Sequence, residues 1–321
     1  MTYSKVQRAL EEFVRTEGVT LPLPGSGETW HRFEVLSKWA SLDLSVGRLV
    51  EGHSDAIAIL AEAAMLPVTD HATYGVWAAR SSGINTVAER VSGGWRLTGS
   101  KAFCSGSSII DRALVTAEAP DGYRIFDVKV SEQVSKLHKD SWPAVGMADS
   151  LSHTLDFDGP IITDDYAVGG VGFYAGRPGF WFGAAGVAAC WYGGALGLVN
   201  SLMNSLSTEP NAHVQADLGM AIAGIEAMRA VLHKTAEAID ADPADACGRA
   251  HFRALVARQV IHDTSLEVLA RVGSAGGARP LCLDLEQSRR AADLFAYLSQ
   301  HHGGSDAAEL ARLAMEARSC D

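Results

Sequence analysis

The chain has 321 residues, 47% of them hydrophobic and 20% charged, which is an ordinary globular composition and neither a disordered nor a fibrous one. With 27 Lys and Arg against 38 Asp and Glu, the net charge of −11 and the lack of any basic run argue against a general nucleic-acid binder. Five scattered cysteines, Cys104, Cys190, Cys247, Cys282 and Cys320, are odd in number and form no C-x-x-C pair, which excludes a disulfide framework or zinc ribbon and points to a reducing, cytoplasmic compartment.

The N-terminal MTYSKVQRALEEF is charged and amphipathic at once, unlike the apolar core of a secretion signal. Helical spacing of Val6, Leu10, Phe13 and Val14, and again of Ile57, Leu60, Ala61 and Ala64, predicts a helical N-terminal domain over residues 1–70. The GSGETW turn at 25–30 interrupts it and Pro67 closes it. Residues 71–168 change character. TVAERV, WRLTGSKAF, RALVTA, YRIFDVKV and HTLDFDG alternate with turn signals, and Pro120-Asp121-Gly122 between two of these runs is a hairpin signal. A central β-barrel-like domain is expected there.

From 169 to 321 helices return, at about 177–207, 212–241, 247–272, 284–300 and 305–318, a pattern that predicts a C-terminal four-helix bundle. The glycine-rich stretch 273–280 is read as a loop. Pro178–Thr208 carries no charged residue and exceeds the ~20 residues of a membrane span. Its Asn200, Asn204 and serines favour a buried bundle helix instead. Gly183, Ala184, Gly193, Gly194 and Gly197 along it allow close helix approach. No membrane association follows. An apolar helix that one small domain cannot cover predicts a homodimer or homotetramer.

Metal chemistry finds little support, because none of the 11 histidines stands in an H-x-x-x-H or H-E-x-x-H pattern. Gly170–Gly176 has one residue too many for a dinucleotide fingerprint and joins no strand to a helix.

The β region is more telling. In order it carries Tyr74-Gly75-Val76-Trp77, Ser81-Ser82-Gly83, Gly94-Trp95-Arg96-Leu97-Thr98-Gly99-Ser100-Lys101-Ala102-Phe103-Cys104-Ser105-Gly106, Gly146-Met147, and Thr154-Leu155-Asp156-Phe157-Asp158. This ordered series resembles the middle domain of the acyl-CoA dehydrogenase superfamily, and the helix–β–helix order agrees. The α+β fold is thus expected to be acyl-CoA dehydrogenase-like. The resemblance implies an FAD-dependent oxidoreductase acting on the CH–CH group of an acyl thioester or related small molecule, with acyl-CoA as a candidate substrate. It implies that Val76 and Trp77 meet the pyrimidine end of the flavin, that Ser82 and Gly83 lie near the pyrophosphate, that Phe103 packs on the isoalloxazine, and that Ser105 bonds near N5. It also implies that Gly276 and Gly277 approach a neighbouring subunit's FAD. Alternation within KAFCS would put Phe103 and Ser105 on one face of a strand. Phosphate contact and plain surface charge stay open for Arg279 and Arg290.

The family's catalytic Glu is missing. His301 falls at one of its two positions and a residue near Val187 at the other. Trp77-Ala78 replaces a Thr-Glu pair, Ala148 an Arg, and the Arg-x-x-Phe-Gly motif is absent from 208–220. Two further readings therefore stand beside the dehydrogenase: a flavin monooxygenase with His301 as proton donor or acceptor, protonated by its helix C-terminus, and a non-catalytic subunit of a heteromeric enzyme.

Overall fold

The computed structural model describes residues 5–18, 20–206 and 210–318. The chain divides into two compact units. The first comprises Met1–Leu21, Arg48–Ala144 and Ala148–Phe180; the second comprises Pro22–Gly47, Val145–Met147 and Trp181–Asp321. The N-terminal helices are shared between them. α1 (Lys5–Phe13) belongs to the first unit, α2 (Thr29–Leu42) to the second, and α3 (Leu44–Glu62) begins in one and continues in the other.

The first unit is built on an eight-stranded mixed sheet. Its strands are β1 (Tyr74–Trp77), β2 (Thr86–Val91), β3 (Gly94–Cys104), β4 (Arg112–Ala119), β5 (Gly122–Lys129), β6 (Val134–His138), β7 (His153–Asp158) and β8 (Ala167–Val168). Two short helices, α4 (Val130–Gln133) and α5 (Phe173–Gly176), complete it. The strand order is β6-β7-β3-β2-β4-β5-β8, with β1 parallel to β4. The Pro120-Asp121 hairpin forms as read, with Ala119 opposite Gly122. Leu97, Phe126, Leu155 and Phe157 fill the interior, and α3 covers one side with Ala56, Ile59 and Leu60 against Tyr74, Leu114 and Ile125. Burying such side chains contributes about 1.5–3 kcal/mol each.

One buried ion pair lies in this core. Arg112 Nε donates to Asp127 Oδ1 at 2.8 Å, and the Tyr74 hydroxyl donates to Asp127 Oδ2 at 3.3 Å. Burial pushes the Asp127 carboxyl up despite its arginine partner, and pushes the Tyr74 phenol up to about 12.

The second unit is helical. Besides α2 it holds α6 (Gly179–Ser205), α7 (Ala212–Ala241), α8 (Ala250–Gly276), α9 (Ala278–Leu283), α10 (Leu285–Leu298) and α11 (Gly304–Arg318), the first two residues of α6 belonging to the other unit. Small residues do on α6 what the sequence suggested. A Cβ on Gly193 would collide with the Ser37 carbonyl oxygen, and one on Gly197 with that of Ser41, so α2 crosses α6 at backbone contact. Ser37 Oγ also donates to the Ala189 carbonyl at 3.1 Å. The Asp240 carboxylate of α7 accepts from Gly27 N, Thr29 N and Thr29 Oγ1, holding the start of α2.

Two expectations need correction. α6 is long and apolar enough to cross a membrane, yet 78% of its most apolar window is buried within the single chain. An uncovered α6 therefore no longer argues for an oligomer. The stretch 273–280 is not a loop: α8 runs to Gly276 and α9 starts at Ala278. Gly277, at φ +63°, is the one break. Pro280 is tolerated because the first turn of a helix needs no donor from it.

Candidate functional site

The implied flavin-contacting residues of the β unit do not all face outward. Trp77 is 1% exposed, and its indole Nε1 donates to the Ser105 carbonyl at 2.9 Å. Val76 is buried as well. Both side chains are occupied in the interior, which leaves only the main chain of β1 for an outside partner. Ser82 and Gly83 form the exposed tip of the Ser81–Ile84 turn, with Gly83 at φ +75°.

Phe103 and Ser105 depart from simple alternation. The pairing of β3 with β7 shifts register between Lys101 and Cys104, and within this bulge Phe103 adopts φ +58°. Its ring is turned outward, 53% exposed, and meets Trp142 edge-on at 6.3 Å. Cys104 behind it is fully buried, and burial pushes its thiol well above the usual range. Ser105 lies just past the strand end and is buried, its hydroxyl 2.8 Å from that of Ser152. A bulky residue at positive φ costs about 1–2 kcal/mol, and such residues gather where a site needs them. The pattern fits a flat ring system bound against the β unit, with an exposed aromatic held out of the strand beside a hydroxyl donor. Such an exposed ring face suits the isoalloxazine of a flavin, and Phe103 is the residue that would stack on it, while the Ser105 hydroxyl is engaged with Ser152.

Close by, Lys101 is buried with its amine donating to Thr116 O at 2.7 Å and Thr116 Oγ1 at 2.9 Å. Burial draws its pKa down to about 8. It sits inside the β unit and is a structural rather than a reacting amine.

In the helical unit His301 lies in the turn between α10 and α11, its imidazole closed off from solvent. Gln259 Nε2 donates to Asp263 Oδ2 at 2.8 Å, which turns its Oε1 toward His301 Nε2 at 3.0 Å. His301 therefore carries its proton on Nε2. Its Nδ1 faces Asp306 Oδ2 at 3.4 Å. The His262 ring stands 4.5 Å away and Trp191 meets His301 edge-on at 6.1 Å. Burial, then the His262 and Arg258 charges, push the His301 pKa down, outweighing Asp306 and Asp263. Burial thus works against the protonated imidazole anticipated from the helix C-terminus. His302 next to it is exposed.

Gly276 and Gly277 close α8 in the same unit; a Cβ on Gly276 would meet the Pro280 ring at 2.8 Å. Arg290 is committed to Glu286 and to the carbonyls of Ser41 and Leu42 at the end of α2, so it serves the helix packing. Gly146-Met147 docks on α10, where Met147 N donates to Asp293 Oδ1. Sequence reasoning missed Ser150, Ser152, Gln259 and His262. These act through partners tens of residues away, and no local spacing announces them.

No protein-family model matches the chain, and no curated protein sequence matches it. Solved structures do match along nearly its whole length. One is TdsC from Paenibacillus sp. A11-2, a dibenzothiophene monooxygenase whose complex with FMN and indole aligns with a TM-score of 0.79 and 17% identity over 98% of this chain and 96% of that one. KijD3 in complex with FMN and a dTDP-linked amino-keto sugar gives 0.80 and 17% over 97% and 86%. The methanesulfinate monooxygenase MsuC from Pseudomonas fluorescens gives 0.77 and 17% over 98% and 97%. The fold is therefore the α+β, acyl-CoA dehydrogenase-like fold that the motif series resembled.

Proposed function

We propose that this chain is a flavin-dependent oxidoreductase of the monooxygenase kind, acting on a small organic molecule. The observation that carries the reading is the placement of Phe103, an aromatic forced outward at positive φ beside the Ser105 hydroxyl, on a fold whose neighbours bind FMN. Bound flavin would supply the redox chemistry: it takes electrons from an external donor and passes them to oxygen. The chain's own residues bind and orient the ring and keep water from it.

Acyl-CoA dehydrogenation is the weaker form of the proposal. It calls for a carboxylate base to take the α-proton, and the two positions where the resemblance puts one hold Val187 and His301. Burial lowers the proton affinity of the His301 imidazole below that of an ordinary histidine, which weakens it as a base there. FMN is favoured over FAD because the neighbours are FMN complexes and the Arg-x-x-Phe-Gly motif, which the resemblance brings to a partner subunit's FAD, is missing. The neighbours act on or bind a thiophene, a nucleotide sugar and a sulfinate, so the fold does not fix the substrate. Self-association is retained in the proposal on different grounds, the exposed Leu283, Leu285 and Phe295 of the helical unit, and light scattering showing only monomer would remove it.

The test is anaerobic reduction. A flavin that is reduced by an external reductant, reoxidises with oxygen and is not bleached by acyl-CoA thioesters supports the monooxygenase. Bleaching by an acyl-CoA supports the dehydrogenase. A chain that binds no flavin supports the non-catalytic subunit.

A further inference from the structure

Phe103 is one half of an aromatic pair whose two members are mounted on the same residue of β7. Between Lys101, opposite Leu155, and Cys104, opposite His153, β3 carries two residues where β7 carries only Thr154. Ala102 and Phe103 therefore share Thr154, and the Phe103 ring is turned outward at φ +58°. Thr154 N in turn donates to Ser141 Oγ at 2.7 Å, and Ser141 Oγ donates to the His138 carbonyl at 2.6 Å. These two bonds hold the single 3-10 turn Lys139–Ser141 against the paired strands β6 and β7. Trp142 follows directly, at φ −127° and ψ +70°, and Pro143 after it disfavours the helical region for Trp142. Each ring is thus fixed at its backbone, and the two meet at 6.3 Å with 87° between their planes.

The bulge fixes where the Phe103 side chain starts, not where its ring ends. With 53% of its surface exposed, a ring without a lateral neighbour would exchange between rotamers, and a ligand stacking on it would have to order it first. The edge-on contact removes that freedom whichever of the two rings presents its edge. A change of rotamer at Phe103 swings the ring away from Trp142 and forfeits the contact. We propose that Trp142 is a positioning residue that holds the Phe103 ring in the orientation that stacks on the flavin. The inference rests on the flavin reading above. Trp142 acts through Phe103, and Ser141, by fixing the turn before it, acts through Trp142. That order of dependence is what the variants below read.

The experiment titrates the full chain, freed of flavin, with FMN. The variants are Phe103→Ala, Trp142→Ala, Trp142→Phe, Ser141→Ala and the double variant Phe103→Ala with Trp142→Ala. Affinity is read by fluorescence quenching. The fixed geometry of the stack is read by the visible circular dichroism of the bound flavin, which arises from asymmetric contacts with its ring. Trp142→Ala should weaken FMN binding about threefold, the cost of ordering one side chain, and diminish the dichroism per bound flavin. Trp142→Phe, which keeps an aromatic neighbour, should restore both signals. Ser141→Ala should move both in the same direction as Trp142→Ala, by less. The double variant should bind like Phe103→Ala alone, because the two residues act as a unit. The proposal is overturned if Trp142→Ala keeps wild-type affinity and dichroism, whatever its melting temperature, or if the losses of Trp142→Ala and Phe103→Ala multiply. Wild-type protein that binds neither FMN nor FAD overturns the flavin reading itself, which is a separate outcome.

Discussion

Replacing Phe103 separates the stability of the β unit from its proposed function. Phe103 sits at φ +58° with 53% of its surface exposed. About half of the usual burial gain for a phenylalanine, ~1 kcal/mol, is lost on truncation. Phe103→Ala loses that and keeps the backbone strain. Phe103→Gly loses the same contacts but relieves ~1–2 kcal/mol of strain, against ~0.5–1 kcal/mol of extra chain entropy in the unfolded state. The glycine variant should therefore be the more stable of the two by ~0.5–1 kcal/mol, the reverse of the order in an ordinary strand. At roughly 2–4 °C per kcal/mol for chains of about this size, Phe103→Gly should melt ~2 °C above Phe103→Ala by calorimetry of the flavin-free chains. Both variants should lose FMN affinity about tenfold through the missing ring contact, a stacking worth ~0.5–1.5 kcal/mol plus its area. If alanine proves more stable than glycine here, Phe103 is not strained and the outward turn has another cause.

At the β2–β3 turn, a Cβ on Gly94, at φ +149°, would collide with the Ile162 carbonyl oxygen. Gly94→Ala should cost ~3 kcal/mol or more in urea unfolding, while neighbouring Gly93→Ala, at φ +90° with open space around it, should cost only ~1–2 kcal/mol of strain. Lys101 is held at a pKa of about 8 by burial, below its unfolded value of about 10.4, so the folded chain binds fewer protons between these limits and stability rises with pH there. Between pH 8 and 10 the wild type should gain ~1–2 kcal/mol relative to Lys101→Met; parallel curves would refute this. His301 is likewise pushed down by burial and by its His262 and Arg258 neighbours. Its contribution is therefore fully present above about pH 6.5 and is lost as pH falls through its folded pKa. His301→Gln should flatten the acid side of the stability profile, and an unchanged profile would argue for a protonated imidazole. Asp127→Ala leaves the Arg112 guanidinium buried without its partner and should cost ~3–5 kcal/mol in chemical unfolding, far more than loss of an exposed pair such as Lys129–Glu132.

The order of helices, β unit and helices was legible because each rests on local periodicity. TVAERV and RALVTA became β2 and β4, and the 212–241 helix has the limits read for it. The Gly193 and Gly197 close approach was legible too, since only small residues allow it. What escaped the sequence depends on partners far along the chain. Strand alternation puts Phe103 and Ser105 on one face, but the bulge against β7 turns the ring out and leaves the hydroxyl in. The glycines of 273–280 signal a loop, yet helix α8 tolerates Gly273 and Gly276, and a single positive-φ residue, Gly277, suffices for the break. His301 was singled out by its position near the missing Glu, but its tautomer is set by Gln259, 42 residues away, and its low proton affinity by burial. Trp77 lies on β1 with its indole pointing inward, because the Ser105 carbonyl accepts it there.

Flavin binding is read from the absorbance spectrum of the purified chain incubated with FMN and then freed of excess ligand. The expected result is a yellow protein with FMN retained near one per chain, reduced by dithionite and reoxidised by oxygen, and a loss of that retention in Phe103→Ala. A colourless wild-type chain that retains neither FMN nor FAD would contradict it.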